Sequence, residues 1–257
     1  MRKTQILNKL LSILTIYLKI NVKFGKDFER DRLLFRGLCN QCLSLEGIDD
    51  EFYKLQDKLL SYEREEKGVI DVDSFSYKNN ISHFNGDITT LKADAIVNAA
   101  NDEYLGCFIP CHNCIDNVIM SSAGFQMRNE LLSLKEDLGY SIQKVKVTRG
   151  YNLPCKYVFH VAGPIVYGNV TEKNREDLKN CYIECLNKAE IMRLNSIVFC
   201  CLSTGEYHFP NNLACDIAVS TVKKWLEGHN NHLKIVFNTF KQIDIEMYKE
   251  KLSKENK

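Results

Sequence analysis

From about residue 71 onward, short runs of β-branched and aromatic residues alternate with longer stretches of helical periodicity. That alternation constrains the fold more than any other feature of the chain. The strand candidates are Ile96–Val97, Val145–Val147, Tyr157–Val161, Ile197–Cys201 and Lys234–Phe237, and the helical candidates are 115–137, 172–193, 212–227 and 244–254. Strands separated by helices argue for an α/β fold with a largely parallel sheet covered on both faces. In such sheets ligands bind outside the carboxyl ends of the strands. The loops that follow strands are therefore where function is expected.

Residues 1–70 have a different texture and read as helices only, which divides the chain at 1–70 and 71–257. Ile6, Leu7, Leu10, Leu11, Leu14 and Leu18 recur at helical spacing and predict an amphipathic helix. Lys9 and Lys19 interrupt that apolar run, so it is too broken to span a membrane, and Arg2 as its sole arginine weakens a presequence reading. The stretches DFERDRLLFRGLCNQCLSL and DDEFYKLQDKLLSYEREEKG follow the same periodicity, and Gly68 is a plausible stop. The 34 Lys and Arg nearly balance the 33 Asp and Glu, so no global field attracts a polyanion. Nucleic acid and membrane are not expected partners. No secretory signal stands out, so a cytoplasmic protein is expected, and its eleven cysteines read as thiols or metal ligands rather than disulfides.

Two loops carry candidate chemistry. The first spans residues 84–117. Gly86-Asp87-Ile88-Thr89 is a polar turn in which Asp87 could accept from an exocyclic amine or simply close the turn. Val97-Asn98-Ala99-Ala100-Asn101 leaves a buried strand, and Asn101 suits either a turn cap or a sugar hydroxyl. Cys107, His112 and Cys114 then follow at C-x4-H-x-C spacing. Thiolate and imidazole are zinc ligands, and three of them leave a fourth position open. Cys111 could fill that position or be a small packing residue. Ile115 and Asp116 open a helix whose N-terminus suits a diphosphate, and Asp116 is either an N-terminal cap or early-turn residue or a carboxylate beside a bound sugar. The second loop, Ser203-Thr204-Gly205-Glu206-Tyr207, has the small residues that let backbone wrap an anion.

Taken in order and spacing, Gly86-Asp87-Ile88-Thr89, Val97-Asn98-Ala99-Ala100-Asn101 and Ser203-Thr204-Gly205 resemble the macrodomains. Gly106-Cys107-Phe108, Pro110, His112 and Cys114-Ile115-Asp116-Asn117 resemble their zinc-containing branch, the protein-ADP-ribose hydrolases found with microbial sirtuin-type transferases. The likeness extends to DFERDRLLFRGLCNQ and KLQDKLL and so covers nearly the whole chain. It implies a three-layer α/β/α macrodomain with a mixed, largely parallel sheet, preceded by a helical segment. It also implies a hydrolase that removes mono-ADP-ribose from acidic side chains of modified proteins. In that reading Asp87 holds the adenine amine with the Ile88 backbone nearby, and Asn101 contacts the distal ribose. One zinc ion sits on Cys107, His112 and Cys114. The backbones of Cys114 to Asp116 and of Ser203 to Tyr207 clasp the diphosphate, Tyr207 lies near the ribose, and Asp116 with Asn101 carries catalysis. Cys111 departs from the branch's pattern. A non-catalytic ADP-ribose reader, an O-acetyl-ADP-ribose deacetylase and a structural zinc module on nucleic acid are the competing readings. His83, His160, His208, Trp225 and the Cys200–Cys201 pair are expected to be structural, and the Cys39–Cys42 pair is expected to pack within a helix.

Overall fold

The structure, a computed structural model, describes residues 1–134, 144–229 and 232–253. The chain opens with α1 (Lys3–Leu18), α2 (Phe28–Gln41) and α3 (Asp50–Lys67). Asp27 and Asp49 start α2 and α3 by accepting the N–H groups of Arg30 and Glu51. Gly68 ends α3 where the sequence places the stop. The predicted stripe of α1, Ile6, Leu7, Leu10, Leu11 and Leu14, is fully buried against Phe35 of α2 and Phe52, Leu55 and Leu59 of α3. Each such side chain contributes roughly 1.5–3 kcal/mol at most, so packing rather than intrinsic helicity holds α1. The second helical stretch ends early, at Gln41, and Cys42 caps it. Among the described residues no helix is long and apolar enough to cross a membrane.

A small parallel pair, β1 (Ile70–Asp71) with β3 (Leu91–Lys92), precedes the main sheet. The main sheet contains β2 (Ile81–Asn85), β4 (Ala95–Ala100), β5 (Lys146–Arg149), β6 (Tyr157–Ala162), β7 (Ser196–Phe199) and β8 (Lys234–Thr239), in the order β2-β8-β7-β4-β6-β5. Every pairing is parallel except β5 against β6. The sheet is thus mixed and largely parallel. In β4 and β7 successive side chains on both faces are buried, which is why these strands read as continuous rather than alternating apolar runs. Strand β2 went unrecognised in the sequence because ISHFN at a sheet edge carries three polar residues in five. Cys200 and Cys201 lie beyond β7, and Val145 precedes β5.

The later helices are α4 (Ile115–Ala123), α5 (Phe125–Ser133), α6 (Glu172–Ile191), α7 (Asn211–Gly228) and α8 (Gln242–Ser253). The single helix expected over 115–137 is broken at Gly124, whose φ of 102° disfavours any L side chain. The Phe125 N–H freed by the break donates to Gln56 Oε1 of α3 at 3.0 Å. Positions 135–137 of that expectation, and 254 of the last helix, lie outside the described residues. One apolar core joins the sheet to α4 through α8, while α1 to α3 form a second cluster joined by Phe125. The carboxyl ends of β2, β4, β6, β7 and β8 point the same way, so the segments after Asn85, Ala100, Ala162 and Phe199 emerge along one edge.

Candidate active site

The loop after β4 brings Cys107, His112 and Cys114 together, with their donor atoms all within 4.8 Å of one another. Cys107 Sγ lies 3.6 Å from His112 Nδ1. Tetrahedral zinc with thiolate and imidazole ligands sets neighbouring donors roughly 3.5–3.8 Å apart, so the Cys107–His112 pair stands at that spacing and the residue set fits the metal in chemistry. Cys114 also caps α4, its sulfur accepting the Asn117 N–H at 3.4 Å. Burial pushes its thiol well above the ordinary value. Cys111 is turned away: its sulfur donates to the Leu33 carbonyl of α2 at 3.2 Å. Asn101 realises the turn-capping option, its Oδ1 accepting the Tyr104 N–H at 3.0 Å and its Nδ2 donating to the Gly106 carbonyl at 3.2 Å.

Asp116 stands in the first turn of α4 and is 4% exposed, yet it does not cap the helix. Asn98 of β4 donates from Nδ2 to Asp116 Oδ1 at 2.7 Å and also contacts His160 Nδ1 of β6 at 3.1 Å. His160 Nε2 lies 2.9 Å from Thr148 Oγ1 of β5. An amide nitrogen has two donors, so His160 accepts at Nδ1 and carries its proton at Nε2. Burial, with Lys146 adding to it, pushes His160 down to about 3 and keeps it neutral. Burial likewise raises Asp116 to about 6, against the hydrogen bond from Asn98 and the charge of Arg128. Asp116 Oδ2 is buried without a partner, as are Asn98 Oδ1 and Ser203 Oγ. Such atoms are costly in an interior and mark acceptors that a ligand can satisfy. Sequence reading named Asp116 but missed the network behind it; the signal was Asn98, a polar residue inside an apolar strand.

The loop after β7 faces this one. Ser203 has a left-handed φ of 63°, and its hydroxyl would lie 2.1 Å from a Cβ at Gly163, so the loop after β6 needs glycine there. Thr204 Oγ1 donates to the Cys201 carbonyl, and the His208 and Phe209 N–H groups return to Gly205 and Ser203. Tyr207 hydrogen-bonds the Asp102 backbone, and Glu206 Oε1 lies 3.8 Å from His112 Nε2, so two of the loop's predicted residues reach across to the β4 loop. Asp87 closes its own turn, accepting from the Thr89 N–H and hydroxyl and from Lys67 Nζ at 2.9 Å. Burial raises its pKa, but those three bonds outweigh the burial and hold it below the usual carboxylate range. Ile88, next to it, is buried. His83 bonds Thr239 and stacks on Tyr248, a structural role like that of His160. Cys39 lies within α2, and the carbonyls of Cys39 and Cys42 both accept from Arg128.

A helix N-terminus, a metal-type ligand cluster and a facing small-residue loop, all at the carboxyl edge of a mixed sheet, define an α/β ligand-binding protein of the kind that takes anionic groups at that edge. Residues 97–218 match the Macro domain. A protein-ADP-ribose hydrolase of Staphylococcus aureus is 42% identical over 227 residues, 86% of this chain and 85% of its own. One from Treponema medium is 39% identical, covering 90% and 91%. A Trypanosoma brucei macrodomain solved in complex with ADP-ribose superposes with a TM-score of 0.65 at 27% identity, covering 85% of this chain and 95% of its own. The chain belongs to the macro domain family.

Proposed function

We propose that this protein binds ADP-ribose at the carboxyl edge of the sheet and hydrolyses mono-ADP-ribose from acidic side chains of modified proteins, with zinc held by Cys107, His112 and Cys114 beside the distal ribose. The observation that carries the reading is Asp116. It is a buried carboxyl group with one oxygen unpartnered, held by Asn98, and it lies two residues past a cysteine of the metal-type cluster. Relatives named protein-ADP-ribose hydrolase match over most of their length and support the hydrolase part of this reading.

In this reading the first-turn N–H groups of α4 and the backbone from Ser203 to Tyr207 clasp the diphosphate. Asp87 meets the adenine amine beside the Ile88 backbone, and Asn101 and Tyr207 border the distal ribose. A water held by Asp116 Oδ2 bonds to the anomeric carbon. The carbon–oxygen bond to the modified side chain breaks, its carboxylate leaves with the electron pair, and Asp116 takes a proton from the water. Cys107, His112 and Cys114 would hold the zinc ion, which would supply a Lewis acid to polarise a ribose hydroxyl or the departing carboxylate; two thiolates would cancel its formal charge, so orientation rather than water activation would be its contribution. The zinc-containing, sirtuin-associated branch, a 1–70 helical unit ahead of a 71–257 macrodomain, a cytoplasmic site of action and the lack of a nucleic-acid partner belong to the same proposal.

The test is release of free ADP-ribose from a protein modified on acidic side chains, by wild type and by Asp116→Ala. Release by wild type and its loss in the variant is the expected result. Tight ADP-ribose binding without release makes the protein a reader, and release only from O-acetyl-ADP-ribose makes it a deacetylase.

A further inference from the structure

We infer that Arg36, on α2, is a positioning residue that pre-forms the metal-binding loop; the inference rests on the metal site proposed above. Leu33, Arg36, Gly37 and Asn40 recur at steps of three, one and three and so share one face of α2. All four meet the loop. The Leu33 carbonyl accepts from Cys111 Sγ, and Asn40 Oδ1 accepts the Cys111 N–H at 3.0 Å. A Cβ on Gly37 would touch Pro110 Cβ and Cys111 Sγ at 3.5 and 3.6 Å. Arg36 makes the central contact. Its Nη2 donates to the His112 carbonyl at 2.8 Å, and Nε and Nη2 both donate to Asn117 Oδ1 at 3.0 and 2.6 Å.

Asn117 carries the effect to the other ligand. It is fully buried, and with Oδ1 committed to the guanidinium its Nδ2 can only donate, which it does to the Ile109 carbonyl at 2.9 Å. Its backbone N–H meets Cys114 Sγ at 3.4 Å. One guanidinium therefore grips His112 directly and Cys114 through a single residue. A free loop carrying three ligands would lose conformational freedom on taking up a metal, and a loop already fixed avoids most of that cost. Lysine would keep the charge but cannot fork to two acceptors in one plane.

Zinc affinity of the full chain, measured by competition with a chromogenic chelator, tests this for wild type, Arg36→Gln, Arg36→Lys and Cys107→Ser. Both Arg36 variants are expected to lose about 10- to 100-fold in zinc affinity, as outer-shell partners of ligands do. The metal-free variants are expected to stay folded at the assay temperature, with an unfolding midpoint lowered because Asn117 Oδ1 and the His112 carbonyl lose a donor, and to keep ADP-ribose affinity near wild type. Wild-type zinc affinity in both variants overturns the inference. Recovery in Arg36→Lys alone also overturns it, because charge rather than geometry would then matter. If the Arg36 variants do not fold, Asn40→Ala decides: a loss of several-fold is expected, and unchanged affinity refutes the brace. A wild type that binds zinc no better than Cys107→Ser removes the metal site itself, and the inference with it.

Discussion

The two loops that face each other at the sheet edge are held in different ways. The loop after β4 has internal turn bonds from Asn101 and His112 and is braced further from outside: Arg36 and Asn40 of α2 and Arg128 of α5 bond its backbone at His112, Cys111 and Leu105. The loop after β7 is fixed mostly by itself, through Thr204 to Cys201, His208 to Gly205 and Phe209 to Ser203, with Val166 to Tyr207 as a tie from the neighbouring loop. The difference is chemical. In the proposed reading, side-chain ligands take up a metal more tightly when they already stand near the required distances, and external braces would provide that. Backbone N–H groups that receive an anion need only small residues and open space in front of them.

The largest expected effect lies on the braced side. Asp116→Ala should lower hydrolysis by about 10²- to 10⁴-fold, read as turnover with ADP-ribose affinity measured in parallel; full turnover would remove Asp116 from the mechanism. Next comes the polar network behind it. His160 is neutral when folded, with a pKa of about 3 against 6.5 in its ordinary state. Between those values the unfolded chain binds the extra proton, so stability rises with pH and is lost on acidification, by ~1.4 kcal/mol per pH unit. Asp116, raised to about 6, keeps its proton in the folded state over much of the same window and opposes this slope. Denaturant unfolding from pH 6.5 to 4 should therefore show a gentler net slope in wild type, and His160→Asn should lower it by about 1.4 kcal/mol per pH unit. An equal slope in both proteins would mean that other groups govern acid unfolding.

On the self-held side the effects are smaller and fall on binding. An added Cβ at Gly205 meets no protein atom within 4 Å. Gly205→Val should therefore leave stability within about 0.5 kcal/mol while weakening ADP-ribose binding about tenfold, because the side chain enters space assigned to the diphosphate. Calorimetry and thermal unfolding together check both halves, and unchanged affinity would move the diphosphate elsewhere. The smallest effect is expected at Cys111→Ala, which removes one weak S–H bond to Leu33 at a cost of about 1 kcal/mol or less. Zinc stoichiometry should not change; a loss of bound zinc would make Cys111 a ligand.

What the sequence revealed follows the same division. Strands β4, β6, β7 and β8 were legible because buried parallel strands need uninterrupted apolar residues. Edge strand β2 was not, since a strand covered on one side tolerates His83 and Asn85. The break at Gly124 was hidden because its cause, Gln56 of α3 taking over the Phe125 N–H, lies 69 residues away in the chain. Among candidate site residues, the Cys107, His112 and Cys114 cluster was readable because three ligand-type side chains share one loop. The contacts of Arg36, Asn117 and Thr148 were not, although Arg36 and Asn117 fall within the motifs that carry the resemblance, since each joins distant segments, Arg36 with Asn117 being 81 residues apart. Cys111 shows the limit plainly: its spacing suits a ligand as well as its neighbours' spacing does, and only the position of α2 turns it away.

In the proposed reading, zinc on Cys107, His112 and Cys114 serves hydrolysis rather than ADP-ribose binding. The most direct measurement compares wild type with Cys107→Ala/His112→Ala for bound zinc, ADP-ribose affinity and release of ADP-ribose from an acid-linked mono-ADP-ribosylated protein. One zinc per wild-type chain, none in the variant, binding retained in both and release confined to wild type are expected. Release at the wild-type rate by the zinc-free variant would contradict that reading.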